Sequence, residues 1–125
     1  MASLEHVNVT VVDPAQTAEM LCDLFGWKIR WQGDAMMGGH TKHVGDEESY
    51  LAIYSPGDPS NAEELSYGTR GGLNHIGVVV GDLDAVEEKV KARGYKPENH
   101  GDYEPGKRFY FTEENGIEIE VVSYA

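Results

Sequence analysis

Basic residues are scarce in this chain: 10 Lys and Arg stand against 22 Asp and Glu, a formal net charge of −12 over 125 residues. So acidic a surface repels phosphate backbones and anionic bilayers, which excludes nucleic acid and membranes as expected partners. Cysteine is nearly absent. The single Cys22 cannot form an internal disulfide, suits a reducing compartment, and is expected as a small buried apolar residue within a helix. No apolar run approaches the ~20 residues needed to cross a bilayer. The start, "MASLEHVNV", has no basic segment followed by an apolar one, so no export signal is expected and the location read here is cytoplasmic. A phosphate-binding P-loop, a dinucleotide glycine fingerprint and a nucleophile elbow are all missing.

What is present is a unit written twice. "LEHVNVTVVD" begins at Leu4 and "LNHIGVVVGD" at Leu73. A shift of 69 positions lays Leu4 on Leu73, His6 on His75, Val9 on Val78 and Asp13 on Asp82. A shift of 68 then lays Gly26 on Gly94, Trp27 on Tyr95, and "LAIYS" on "IEVVS". The spacing predicts two modules, about residues 1–55 and 72–125, within one domain spanning 1–125. A Pro-, Gly- and Ser-rich linker would fill about 56–71. Each module opens on a β-branched strand, "HVNVTVV" or "HIGVVV". A helix follows, capped by Asp13 or Asp82 and ended by Gly26 or Gly94. Apolar stripes run through Met20, Leu21, Leu24 and Phe25, and through Leu83, Val86 and Val90. Three short strands complete each module: about 28–32, 40–44 and 50–54, then about 96–99, 108–112 and 117–123. The expected fold class is α+β: two βαβββ modules forming curved mixed sheets around a cavity, helices outside.

Strand alternation assigns the polar atoms to faces. His6, Asn8 and Thr10 share one face and the valines the other; Glu118 and Glu120 oppose Ile117, Ile119 and Val121. Two histidines at equivalent repeat positions and a glutamate in a final strand are candidate ligands for a divalent metal, since imidazole and carboxylate suit Fe, Mn, Ni or Zn. A metal also removes the cost of burying a carboxylate alone.

Those segments, with the closing "FYFTEENGIEIEVV", resemble the vicinal oxygen chelate superfamily of glyoxalase I, bleomycin resistance proteins, extradiol dioxygenases and fosfomycin resistance proteins. The resemblance covers nearly the whole chain. It implies His6, His75 and Glu120 as ligands of one divalent ion, Glu120 and Tyr110 as catalytic residues, a small-molecule substrate and a homodimer. The counterpart of Glu120 in the first module is Ala52, where glyoxalase I-like members carry a ligand. A methyl group cannot coordinate, so two histidines and one carboxylate with open positions are left. "FYFTEENGIEIE" departs from the extradiol signature at Glu114, where a proline is usual, and His100 lies one residue too far from Phe109. The functions implied are a dioxygenase-like or glyoxalase-like metal enzyme, a fosfomycin-resistance-like transferase, or a metal-free binding protein using Trp31, Tyr50 and Tyr110. The remaining features read more plainly. His40 and His43, three apart on a strand, point to opposite faces. "MMGG" reads as a turn, and "GDEES" and "TEENG" as solvated turns. Lys107 and Arg108 suit either an anionic substrate or the surface.

Overall fold

Asp13 and Asp82 start the two helices. The Asp13 carboxylate accepts from the N–H groups of Ala15 at 3.1 Å and Gln16 at 3.3 Å, ahead of α1 (Pro14–Phe25). Asp82 accepts from the Ala85 N–H at 3.1 Å, ahead of α2 (Leu83–Ala92). Each cap satisfies donors that the first turn cannot, worth about 1 kcal/mol. α1 ends at Gly26, whose φ of 69° is the left-handed conformation that glycine adopts without strain. The structure, a computed structural model, describes residues 1–60, 66–103 and 105–125.

The chain falls into two compact units, Met1–Ser60 and Asn61–Ala125. In the first, β1 (His6–Thr10), β2 (Lys28–Asp34), β3 (His40–Gly45) and β4 (Tyr50–Ser55) form a sheet in the order β1-β4-β3-β2. In the second, β5 (Ile76–Val79), β6 (Glu98–Tyr103), β7 (Gly106–Thr112) and β8 (Glu118–Ser123) form a sheet in the order β5-β8-β7-β6. First and last strands of each unit pair parallel, and the other pairs are antiparallel. Both units therefore carry the expected βαβββ order, and the fold class is α+β with mixed sheets.

One face of each sheet meets its helix. Val9, Val11, Val44 and Ile53 are buried with Ala18, Leu21 and Leu24 in the first unit. Val78, Phe109, Phe111, Ile119 and Val121 are buried with Val90 in the second. Phe109 and Phe111 are almost wholly excluded from water, each contributing about 1.5–3 kcal/mol. The valine and isoleucine alternation thus fixes which face stays open, because a one-residue slip would turn every side chain over.

Several expectations are corrected. Cys22 is only half-buried, because it follows Leu21 round the edge of the α1 stripe, and Phe25 is half-buried too. β6 occupies 98–103 rather than 96–99, with a register shift between Glu98 and Gly101 at Asn99, whose φ is 52°. Asn is among the few residues that tolerate that conformation, so the bulge is local chemistry rather than propensity. β7 begins at Gly106, where a Cβ would lie 2.4 Å from the Ser123 carbonyl oxygen, so only glycine admits the pairing. The linker expectation falls partly on residues 61–65, outside the described residues.

"TEENG" is not wholly solvated. Glu113 is buried, and its carboxylate accepts from the N–H groups of Asn115 at 2.6 Å and Ile117 at 3.0 Å and from Asn115 Nδ2 at 2.7 Å. Burial outweighs these bonds and holds the carboxyl above the usual carboxylate range. The folded chain therefore keeps this proton to higher pH than the unfolded chain does. Stability from this group is present below the unfolded value and is lost as pH rises through the folded one. Glu113→Gln keeps an acceptor for both backbone N–H groups and cannot ionise. Urea unfolding from pH 4 upward should show a shallower loss of stability with rising pH in Glu113→Gln than in the wild type; parallel curves would contradict this.

Candidate functional site

The open face of the second sheet is polar by alternation. β7 and β8 pair Tyr110 with Glu120 and Thr112 with Glu118, and β5 sets Gly77 on the other side of Glu120. His75 stands one residue ahead of β5, with Nε2 at 3.1 Å from Glu120 Oε1. Arg108 Nη1 donates to the other oxygen, Oε2, at 2.9 Å. The arginine and glutamate side chains are 13% and 12% exposed, so this ion pair is only lightly screened. The Tyr110 ring meets the His75 ring edge-on at 5.7 Å. Burial, then the charge of Glu120, push the Tyr110 hydroxyl above its ordinary value, so it is a protonated phenol at neutral pH.

Tyr67 decides the state of the histidine. Its hydroxyl donates to Glu118 Oε1, and its oxygen lies 3.2 Å from His75 Nδ1. The hydrogen bond to Glu118, with burial second, pushes the phenol up to about 12. A carboxylate cannot donate, so the Tyr67 proton belongs to the Glu118 bond. Its oxygen then accepts from Nδ1–H. A neutral His75 in that tautomer turns its Nε2 lone pair toward Glu120 Oε1, itself an acceptor. Two acceptors at 3.1 Å are favourable only with a cation between them, a proton or a metal ion.

The first unit repeats half of this device. His6 Nδ1 lies 2.8 Å from Glu5 Oε1, which also accepts from the Tyr50 hydroxyl at 3.2 Å. The hydrogen bond from His6, then that from Tyr50, holds the Glu5 carboxyl below the usual range. His6 and His43 both stack on Tyr50, at 4.9 and 4.5 Å, and Trp31 tilts against His43 at 5.1 Å. Arg30, passed over by a register shift between Ile29 and Trp31, lies 4.6 Å above the Tyr50 ring. Burial first, then electrostatic repulsion from His6 and from the Arg30 guanidinium, lower the His43 value.

The structure thus gathers His75, Glu120 and Tyr110 on one face and sets His6 on the corresponding face of the first unit. Ala52, 3% exposed, lies between Asn8 and His43 as Glu120 lies between Gly77 and Tyr110. The repeat alignment of Ala52 with Glu120 therefore holds in the strand registers. His43 does point away from the His40 side, and it joins the His6 face, a partnership visible only once β3 is paired with β4. Tyr67 was hidden in the apparent linker, where a lone tyrosine carries no periodic signal. His100 Nε2 bonds Glu87 of α2 at 2.8 Å and lies beside Phe109 on the helix face, away from Tyr110. Lys107 is exposed near Asp102, whereas Arg108 is enclosed. Among the described residues no group of three or more His, Cys, Asp or Glu side chains stands together to hold a metal ion.

A family model, the glyoxalase/bleomycin resistance protein/dioxygenase superfamily, matches residues 3–121. The chain belongs to that superfamily. Solved structures share its fold at low identity. A glyoxylase/bleomycin resistance protein/dioxygenase domain from Frankia sp. EAN1pec is 20% identical, with 98% of each chain covered and a TM-score of 0.78. The fosfomycin resistance protein FosX from Listeria monocytogenes, crystallised with Mn(II) and sulfate, is 18% identical, with 98% of this chain and 93% of that chain covered and a TM-score of 0.76. TnmS3, an antibiotic binding protein from Streptomyces sp. CB03234, is 13% identical, with 100% and 98% covered and a TM-score of 0.74. No curated protein sequence matches. Among the described residues no helix is long and apolar enough to cross a membrane.

The donor set at His75 and Glu120 fits a divalent ion of the kind bound elsewhere in the superfamily. Two ligand atoms each about 2.1 Å from one ion, at roughly a right angle, lie about 3.0 Å apart, close to the 3.1 Å observed. Arg108 occupies Oε2 and leaves Oε1 as the single donor. A bond from Nδ1–H to the Tyr67 oxygen fixes the ring with Nε2 toward Glu120, the kind of anchoring that an imidazole needs if it is to hold a metal. Tyr67→Phe removes that contact and keeps the ring. Nitrogen-15 NMR of metal-free protein at neutral to mildly basic pH should find the His75 proton on Nδ1 in the wild type and mainly on Nε2 in Tyr67→Phe. An unchanged tautomer would mean that Tyr67 does not set it.

Proposed function

We propose that this chain is a divalent-metal enzyme of the glyoxalase superfamily, acting on a small molecule that chelates the ion through two oxygens. His75 and Glu120 are two of the ligands. His6, the repeat equivalent of His75 in the first unit with a matching Nδ1 anchor on Glu5, is carried as a candidate ligand by that equivalence alone. The observation that carries the reading is the facing of His75 Nε2 and Glu120 Oε1. When bound, Fe, Mn, Ni or Zn would act as a Lewis acid on the two substrate oxygens. The Ala52 methyl adds no fourth protein ligand.

The chain's own groups supply the rest. Tyr110, a phenol beside His75, would hold one substrate oxygen by a hydrogen bond and exchange a proton with it at Oη. Glu5 and Tyr67 keep both imidazoles aimed. Arg108 holds Glu120 in its single-oxygen mode. With His100 turned to Glu87, the ring-cleaving branch lacks the histidine of its signature, which favours lyase-like or transferase-like chemistry over dioxygenase chemistry. A homodimer accompanies the proposal by family resemblance.

A second reading has an observation of its own. Trp31, His43, Tyr50 and Arg30 form an aromatic cluster, and the exposed Trp31 ring at its margin suits stacking by a planar ligand. A binding protein would use it without metal.

Metal analysis of tag-free protein decides between them. About one divalent ion per chain is expected. His75→Ala should weaken binding by more than the roughly 10- to 100-fold that follows loss of an outer-shell partner. Metal content that is unchanged in His75→Ala would remove the site assignment. Metal-free wild type that quenches Trp31 fluorescence with planar aromatics would put the binding reading first.

A further inference from the structure

Arg108 has more donors than its surroundings use. Nη1 goes to Glu120, while Nε and Nη2 are buried and have no partner among the described residues. The guanidinium is planar, and the N–H of Nε and the nearer N–H of Nη2 run parallel on one edge. That edge matches two oxygens of a carboxylate, phosphate or phosphonate, and such paired contacts are stronger and more directional than contacts to a point charge. Leaving two charged donors buried and unpaired is costly, so polar partners are expected there.

The Tyr103 ring lies over the guanidinium, 4.9 Å from Cζ, and is itself exposed. Because Nε and Nη2 are shielded from water, an anion reaches them only through movement of a neighbour, and the exposed ring on the guanidinium face is the neighbour proposed to move. Arg108 is also next to the proposed catalytic group: it shares Glu120 with His75.

We infer that the Nε–Nη2 edge of Arg108 is a binding position for a small-molecule oxyanion, so that the substrate is an acid bearing a carboxylate or phosphoryl group. The substrate class rests on the metal-enzyme reading above; the anion position rests on Arg108 alone. Without a metal, Glu120 competes for the same guanidinium charge. A divalent ion on Oε1 would draw that charge away and strengthen the anion position, which ties acid recognition to metal loading.

The test uses metal-free protein titrated with inorganic phosphate and, separately, benzoate, following the Arg108 Nε–H signal by NMR. Saturable movement of that signal at millimolar ligand is expected. Arg108→Lys keeps a cation for Glu120 and loses the fork, and should weaken binding at least about tenfold. Tyr103→Ala should bind as tightly as wild type or more tightly. No movement of the wild-type signal, or equal affinity in Arg108→Lys, overturns the inference. Metal analysis of the same samples reads the metal proposal separately, so either can fail without the other.

Discussion

Glu120 is a carboxylate of which only 12% of the side chain is exposed, and each of its oxygens has a different neighbour. One oxygen takes a hydrogen bond from a guanidinium. The other faces His75 Nε2 at 3.1 Å and shares a cation with it, a proton or a metal ion. The second requirement organises the rest of the unit. His75 must be held ahead of β5, Tyr67 must bring its oxygen to Nδ1, and Glu118 must take the tyrosine proton. Remove any of these and the lone pair need not point at Glu120.

The sheet makes this possible because its two faces are assigned by one alternation. Ile119 and Val121 go to the helix, so Glu118 and Glu120 cannot. Phe109 and Phe111 go the same way, so Arg108 and Tyr110 flank Glu120. A buried apolar face worth several kcal/mol per aromatic pair thereby fixes the register of the polar one. The first unit uses the same geometry differently. Its counterpart of Glu120 is a methyl group, and its face is filled by stacked rings. One half of the repeat sets an enclosed ion pair on this face and the other a cluster of rings, with a histidine bonded to a neighbour in each.

The repeat made most of the fold legible in the sequence. Val9 and Val78, Asp13 and Asp82, Gly26 and Gly94 are each held in place by a physical demand: burial, capping or chain reversal. Strand 98–103 was less legible, because Asn99, His100 and Gly101 have little strand propensity and are paired by tertiary context. The site was readable where residues recur with the repeat: His75, Glu120 and Ala52. It was not readable where the partner is irregular. Tyr67 lies in a segment with no period, and Arg108 stands beside Lys107 as one of two adjacent cations, of which only pairing with Val122 shows that the second is enclosed. In the sequence His43 has only His40 as a histidine neighbour; its grouping with His6 around Tyr50 comes from the pairing of β3 with β4 and β1 with β4.

The proposed metal site turns on one contact, that of His75 Nε2 with Glu120 Oε1. Diffraction from crystals of tag-free protein grown with Mn(II), recorded where manganese scatters anomalously, tests it most directly. An anomalous peak is expected about 2.0–2.4 Å from both atoms, with Glu120 Oε2 still on Arg108. Saturating Mn(II) with no peak at that pair, and the two side chains still in direct hydrogen-bond contact, would show that the cation between them is a proton and would rule out the metal site.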